Sequence, residues 1–350
     1  MSNAFATNGR RPLVSIVIPA LNEAASMPQL MKRFGQFSLD HAEYDFELVL
    51  VDDGSTDGTA DLALELAGND ARVTAIRLSR SFGSHYATSA GLARCAGDCA
   101  IVLGADLQEP PSLLAEFLAT WSEGYHVVWG VRRNRVRRSL FQELASRAFS
   151  LIFTRLADLP NYPPEGPSGV LIDRQVIDEV GRMPERNRNL LALIAWLGFN
   201  QTRTYYDQEP RQHGTSRWTR RKMFKLAIDS VVQFSSTPLR LCSLAGIVVA
   251  LLGVLYALLL VVRFLTGAHF PSGWPTVLVV LLVLGGTQLT MLGVFGEYLW
   301  RSVEESRARP LYVIRDVRAA GAQPTGGAQR RPVVAAQPDG IGTGRPESGR

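Results

Sequence analysis

At 350 residues the chain exceeds one ordinary domain, so two or more parts are expected. A formal charge of +5 is too small to indicate nucleic acid as a partner, and the basic residues are clustered rather than spread. Three cysteines, Cys95, Cys99 and Cys242, make no disulfide framework; Cys95 and Cys99 lack partners at metal-ligand spacing and read as small buried apolar groups.

Residues 1–12 are polar and flexible, with no apolar stretch of the kind a secretory signal needs, so the bulk of the chain is expected in the cytoplasm. Leu13 to Pro19 reads as a first strand that stops at the proline, which cannot donate to a ladder. Ala24 to Phe37 has helical apolar spacing through Met27, Leu30, Met31 and Phe34. Next comes Leu48-Val-Leu-Val-Asp-Asp-Gly-Ser-Thr-Asp-Gly-Thr59, an apolar run climbing to two adjacent carboxylates. The run is continuous rather than alternating, so it reads as a buried parallel strand with Asp52 and Asp53 at its carboxyl end, where open α/β sheets bind ligands. Ser55, Thr56 or Asp57 can cap the helix that follows, from Asp57 to Ala67.

Further along, Val73 to Leu78 predicts a strand, Gly83 to Ala96 a helix, and Cys99 to Gly104 a strand. A helix from Pro111 to about Trp121 and a strand from Tyr125 to Val131 follow. Strands alternating with helices over about 120 residues predict an α/β, mostly parallel sheet with helices on both faces. Leu140 to Leu159 reads as helical and Tyr162 to Ser168 as a loop. Gly169 to Ile172 reads as a strand, Gln175 to Val180 as a helix and Gln201 to Tyr206 as an edge strand.

No G-x-G-x-x-G follows the first strand and no G-x-x-x-x-G-K occurs, which disfavours a dinucleotide-binding dehydrogenase and a P-loop enzyme. Polar groups gather instead at successive strand ends: Asn22 and Glu23, Asp52 and Asp53, Ser79 and Arg80, Asp106 and Gln108. This pattern suits a nucleotide or a sugar. Five arginines between Arg132 and Arg138 suit phosphate, which a guanidinium can hold through two contacts.

From Arg211 the chain becomes basic and amphipathic. Met223, Phe224, Ala227, Ile228, Val231 and Phe234 share one helical side and Arg217, Arg221, Lys222 and Lys225 another, as in a helix lying in a membrane interface. Leu241 to Val262 has no charged residue; about 22 residues at 1.5 Å each reach roughly 33 Å, enough for a hydrocarbon core of about 30 Å. Trp274 to Gly296 repeats the pattern, so 239–300 reads as a transmembrane hairpin with spans at 241–264 and 274–297. Arginines flank it outside, so both termini and the domain at 13–210 are expected in the cytoplasm, as a two-span cell-membrane protein. Gly285-Gly286 and Gly293-Val-Phe-Gly296 allow close helix approach and hence a homo-oligomer. Residues 301–317 form a cytoplasmic segment and 318–350 a disordered tail. The economical reading is a transferase moving a group from a soluble activated donor to a lipid at the bilayer surface.

Val17-Ile-Pro-Ala-Leu-Asn-Glu23, Val51-Asp-Asp-Gly-Ser-Thr-Asp-Gly58, Ala105-Asp-Leu-Gln-Glu-Pro-Pro111 and Gly130-Val-Arg132 resemble the family-2 glycosyltransferases of GT-A fold. With Arg211-x-x-Gly-x-Ser-Arg217 and the hairpin, they resemble the branch that makes polyprenyl-phosphate sugars, which includes dolichol-phosphate mannose synthase and bactoprenol glucosyltransferases. The resemblance implies that Pro19, Leu21, Glu23, Val51 and Asp53 line the nucleoside pocket, and that Ala105, Asp106 and Gln108 lie at the diphosphate. Asp106 would hold a divalent metal, Mg²⁺ or Mn²⁺. Arg132, Arg211, Ser216 and Arg217 would hold phosphates, with Asp106 and Arg132 as the catalytic pair. The implied partners are a nucleotide-sugar, a polyprenyl phosphate of undecaprenyl or dolichyl type, and the bilayer. Three departures stand out: Gly104 where the family's Asp-x-Asp begins, Leu21 where an aromatic residue is usual, and Pro167-Ser-Gly-Val170 in place of Gly-Asp-Phe-Arg. Gly104 and Ser168 motivate the alternative, a catalytically silent homologue acting as membrane scaffold or regulator.

Overall fold

The structure, a computed structural model, describes residues 10–133, 161–163, 166–183, 185, 188–209 and 273–319, with scattered positions between 244 and 266. The strands are β1 (Leu13–Ala20), β2 (Asp45–Asp52), β3 (Val73–Leu78), β4 (Cys99–Val102), β5 (Val127–Arg132), β6 (Gly169–Asp173), β7 (Gln201–Tyr206) and β8 (Ile314–Ala319). The helices are α1 (Met27–Asp40), α2 (Thr59–Asn69), α3 (Ser84–Leu92), α4 (Pro111–Ser122), α5 (Arg174–Arg182), α6 (Leu190–Trp196) and α7 (Trp274–Ser306).

The eight strands form one sheet in the order β7-β5-β6-β4-β1-β2-β3-β8. Val14, Val17, Leu48, Val49 and Val51 expose no surface, because helices cover both faces of the central strands. On one face Ile16, Ile18, Leu48 and Leu50 pack with Met27, Leu30 and Phe34 of α1 and with Leu113 and Phe117 of α4. On the other, Val17, Val49 and Val51 pack with Ala87 and Ala90 of α3, with Val176 and Ile177 of α5, and with Ile194 of α6. Each such aliphatic burial stabilises the fold by about 1.5–3 kcal/mol.

The α/β class is as expected, and the sheet is mixed: six of its eight strands run one way, and β6 and β8 run the other. β4, β1, β2 and β3 run parallel, and β5 and β7 run parallel to each other. β6 is antiparallel to both β4 and β5, and β8 is antiparallel to β3. The physical reason for β6 is that its chain enters from the loop edge, where Ser168 N donates to Gly130 O at 3.1 Å. It then runs back down the sheet without a crossover.

β1 continues one residue past Pro19. Val17 O accepts from Leu103 N at 3.2 Å on the β4 side. Pro19, two residues on, faces that same side beyond the last β4 pair, so its missing N–H leaves no gap in a ladder. Residues 314–319 were expected in a cytoplasmic segment and tail, yet they form edge strand β8. The expected helix at 140–159, the basic segment at 211–238 and residues 320–350 lie outside the described residues, as does much of the first expected span. Among the described residues no helix is long and apolar enough to cross a membrane.

Candidate active site

Strand directions bring the predicted groups to one edge. The carboxyl ends of β1, β2, β3, β4, β5 and β7 and the amino end of β6 all lie there. Asn22 and Glu23, Asp52 and Asp53, Ser81, Asp106, Arg132, Ser168 and Tyr206 therefore follow or precede strands at a single rim.

The loops after β1 and β2 are bonded to each other. Asn22, in the left-handed region at φ 54°, donates its N–H to Ser55 Oγ at 2.8 Å and accepts at Oδ1 from Thr56 N at 2.7 Å. Glu23 N donates to Thr59 Oγ1 at 2.9 Å and Ala24 N to Asp57 Oδ2 at 3.2 Å. Pro19 pairs in register with Val51, and Ala20 with Asp52. Pro19, Leu21, Glu23 and Val51 thus lie in one frame at the ends of β1 and β2. The N-cap position of α2 is Gly58 at φ 91°, not one of the three polar residues expected there. Asp57 still serves the helix start, accepting from Thr59 N at 3.1 Å.

Asp52 and Asp53 have separate tasks. Asp52 turns back to accept from Ser55 N at 3.2 and 3.3 Å, closing the turn at Gly54. Asp53, only 3% exposed, takes Phe82 N at 2.7 Å, Ser81 Oγ at 2.8 Å and Gly83 N at 3.0 Å. Burial raises its pKa, hydrogen bonds from Phe82, Ser81 and Gly83 pull the other way, and neighbouring Asp52 adds to the rise. Its carboxylate therefore pins the loop after β3 to the end of β2. The sequence suggested a nucleoside contact; the geometry adds a structural task that spacing alone does not reveal.

The loop after β4 carries Asp106. A Cβ on Gly104 would stand 2.9 Å from Asp106 Oδ1, so the carboxylate occupies room that a side chain at 104 would take. Ala105 is buried, while Asp106 and Gln108 are half-buried. Gln108 Nε2 reaches Glu209 O at 3.5 Å.

Beneath this loop lies a polar cluster that sequence reasoning missed. Glu109 is 8% exposed, accepts from Tyr206 OH at 3.4 Å, and has one oxygen with no hydrogen-bond partner among the described residues. Burial pushes its pKa up to about 7; Asp106 adds to the rise and Arg132 opposes it. Tyr206 also bonds Ser168 Oγ, and burial, with Glu109 nearby, raises its phenol. Arg132 lies in the same cluster, its buried Nε without a partner among the described residues. The one sequence signal for this cluster was Glu109 beside Pro110-Pro111 in the Asp106 motif.

Arg211, Ser216 and Arg217 lie outside the described residues. Among the described residues no group of three or more His, Cys, Asp and Glu side chains converges to hold a metal. One half-buried carboxylate at a rim fits Mg²⁺ or Mn²⁺ arriving with a diphosphate, because these ions complete their coordination with phosphate oxygens and water.

Residues 15–226 match the sequence profile of Glycosyl transferase family 2. The chain is 35% identical over 304 residues to the glycosyltransferase sll0501 of Synechocystis sp., covering 87% of this chain and 95% of that one. It is 36% identical over 312 residues to the undecaprenyl-phosphate 4-deoxy-4-formamido-L-arabinose transferase of Pseudomonas savastanoi pv. phaseolicola, covering 87% and 90%. Against the bactoprenol glucosyl transferase of Shigella phage SfV it is 30% identical over 303 residues, covering 87% and 98%. Among solved structures it is similar to the mannosyltransferase PcManGT of Pyrobaculum calidifontis in complex with GDP-Man and Mn²⁺. That likeness has 17% identity and a TM-score of 0.41, covering 81% of this chain and 88% of that one. With its profile match across most of the catalytic region and relatives aligned nearly end to end, the chain belongs to glycosyl transferase family 2 and is a glycosyltransferase.

Proposed function

We propose that this glycosyltransferase is membrane-bound, and that it moves a sugar from a nucleotide-sugar to a polyprenyl phosphate at the cytoplasmic face with inversion at the anomeric carbon. One observation carries the reading: the apolar part of the chain leaves and rejoins the sheet at the rim that bears Asp106. Glu209, the last described residue before the basic segment, donates its N–H to Gln108 O at 3.0 Å. On return, Val313 O accepts from Ser79 N at 2.9 Å and Ile314 pairs with Leu78. A lipid headgroup held by that apolar part would meet the donor at this rim.

The exposed surface supports the bilayer. Leu251, Leu255, Leu258, Val277, Leu281, Leu284, Leu289, Leu292 and Phe295 are exposed, a quantity of apolar surface that water does not favour. The uncharged runs at 241–262 and 274–296 have the length of two spans, and the arginines before the first and after the second favour a cytoplasmic site. Two relatives are named for transfer involving undecaprenyl phosphate or bactoprenol.

The chemistry is an in-line displacement. An oxygen of the acceptor phosphate attacks the anomeric carbon while the bond to the donor diphosphate breaks, and the electron pair leaves with the diphosphate. A phosphate monoester with a second pKa near 6 is already ionised at neutral pH, so no strong base is required. The chain must hold two anions close together and meet the charge that grows on the leaving group. Arg132, at the end of β5, suits the leaving diphosphate, and Arg211, Ser216 and Arg217 suit the acceptor phosphate. A divalent ion on Asp106 would supply charge neutralisation at the diphosphate.

Calorimetric titration of the full chain in detergent with UDP- and GDP-sugars, with Mg²⁺ or Mn²⁺ and then with EDTA, tests the donor half. Saturable binding that falls with EDTA and in Asp106→Ala is expected. Folded protein that binds no nucleotide would overturn the reading in favour of a silent scaffold.

A further inference from the structure

Leu107, the residue after Asp106, has φ 57°, a left-handed conformation that costs a side-chain-bearing residue roughly 1–2 kcal/mol. Its side chain is 6% exposed and packs in the core beside Leu30, Phe34 and Leu114. Its carbonyl points at Arg33 of α1, which donates Nη1–H to Leu107 O at 3.2 Å. The other arm of the same guanidinium binds Glu209 Oε2 at 2.7 Å. Glu209 is tied to the same loop again, through its N–H to Gln108 O at 3.0 Å. One planar cation therefore bridges two segments that are 102 residues apart in sequence: the loop bearing Asp106, and the strand exit two residues before Arg211. The pair is only partly exposed, at 24% and 34% for the two side chains, and a fork of this kind fixes direction as well as distance.

We propose that Arg33 and Glu209 are positioning residues that fix the loop bearing Asp106 against the exit of β7 for the transfer step. The inference rests on the transferase reading above. Their hydrogen bonds run to each other and to the loop, so the pair sets where the loop bearing Asp106 stands against the exit of β7. A shift of about 1 Å between reacting groups can cost about a hundredfold in rate, so a tie of this kind belongs in kcat rather than in donor affinity.

The test is steady-state transfer by the full chain in liposomes containing undecaprenyl phosphate, for wild type, Arg33→Ala, Arg33→Lys, Glu209→Gln and the double variant Arg33→Ala/Glu209→Ala. Arg33→Ala is expected to lower kcat about tenfold, with donor KM and calorimetric nucleotide affinity within about twofold. Arg33→Lys, which keeps the charge but not the fork, should recover part of the rate. Glu209→Gln should resemble Arg33→Ala, and the double variant should be no slower than Arg33→Ala, because both remove one tie. Unchanged kcat in Arg33→Ala and Glu209→Gln beside an active wild type would overturn this inference alone. Losses that multiply in the double variant, or that appear only in donor affinity and melting temperature, would overturn it too. A wild type that makes no glycolipid while a reference transferase does would overturn the functional reading, and this inference with it.

Discussion

The Asp53 carboxylate gathers donors from three consecutive residues of one loop, with Ser81, Phe82 and Gly83 all aimed at it. Asp53→Ala leaves these part-buried donors without their acceptor and is expected to cost about 1–3 kcal/mol, read as a lower melting temperature even without nucleotide. Gly54, beside it, has φ 75°, and a Cβ there would lie 2.5 Å from Ser81 N. Gly54→Ala is therefore expected to destabilise by about 3 kcal/mol or more and to reduce the yield of folded protein. Glu109 gives a pH signature. Its pKa is raised from 4.5 to about 7 in the folded protein, mainly by burial. The folded state then binds the proton more tightly than the unfolded state, so stability is retained at low pH and falls as pH climbs from about 4.5 to about 7. The full loss is roughly 3 kcal/mol. Glu109→Gln removes this loss, so its melting temperature should exceed wild type at pH 8 and the gap should close toward pH 5. A gap that widens toward pH 5 would contradict the assignment. Asp106 was legible in the sequence because it ends an apolar run; the burial of Glu109 was not, since nothing local shows that Tyr206 and Arg132 close over it.

The central strands were legible because burial on both faces leaves an uninterrupted apolar run, as in Leu48 to Val51. Strand direction was not legible. Gly169 to Asp173 looks the same whichever way it runs, and its reversal follows from the edge at which its loop arrives. β8 was hidden for another reason. Ile-Arg-Asp-Val-Arg-Ala has three charges in six residues, as an edge strand tolerates, and its partner β3 lies some 240 residues earlier. Charge at an edge discourages pairing between molecules, so β8 is both cover and guard for β3. Truncation after Arg309 should bare the β3 edge, lower the melting temperature by several degrees and increase aggregation, measured by thermal scanning with light scattering. A truncated protein as stable and monodisperse as the full chain would show that β8 is dispensable.

Taken together, the sheet, the rim and the apolar segments share one geometry. The polar groups at the ends of β1, β2 and β4 share a rim with the points at which the chain departs after Glu209 and returns from α7. On the proposed function, a soluble donor and a lipid acceptor would meet there without either leaving its own phase. Membrane fractionation of the full chain is accordingly expected to place it with the bilayer, resistant to high salt, because apolar spans are not screened as charges are. The measurement that decides most is transfer itself: the full chain in liposomes with undecaprenyl phosphate, Mg²⁺ or Mn²⁺, and a panel of radiolabelled UDP- and GDP-sugars. The expected result is label passing into the lipid phase from one donor, with the signal lost in Asp106→Ala. No labelled lipid from any donor, in folded protein and beside a working reference enzyme, would contradict it.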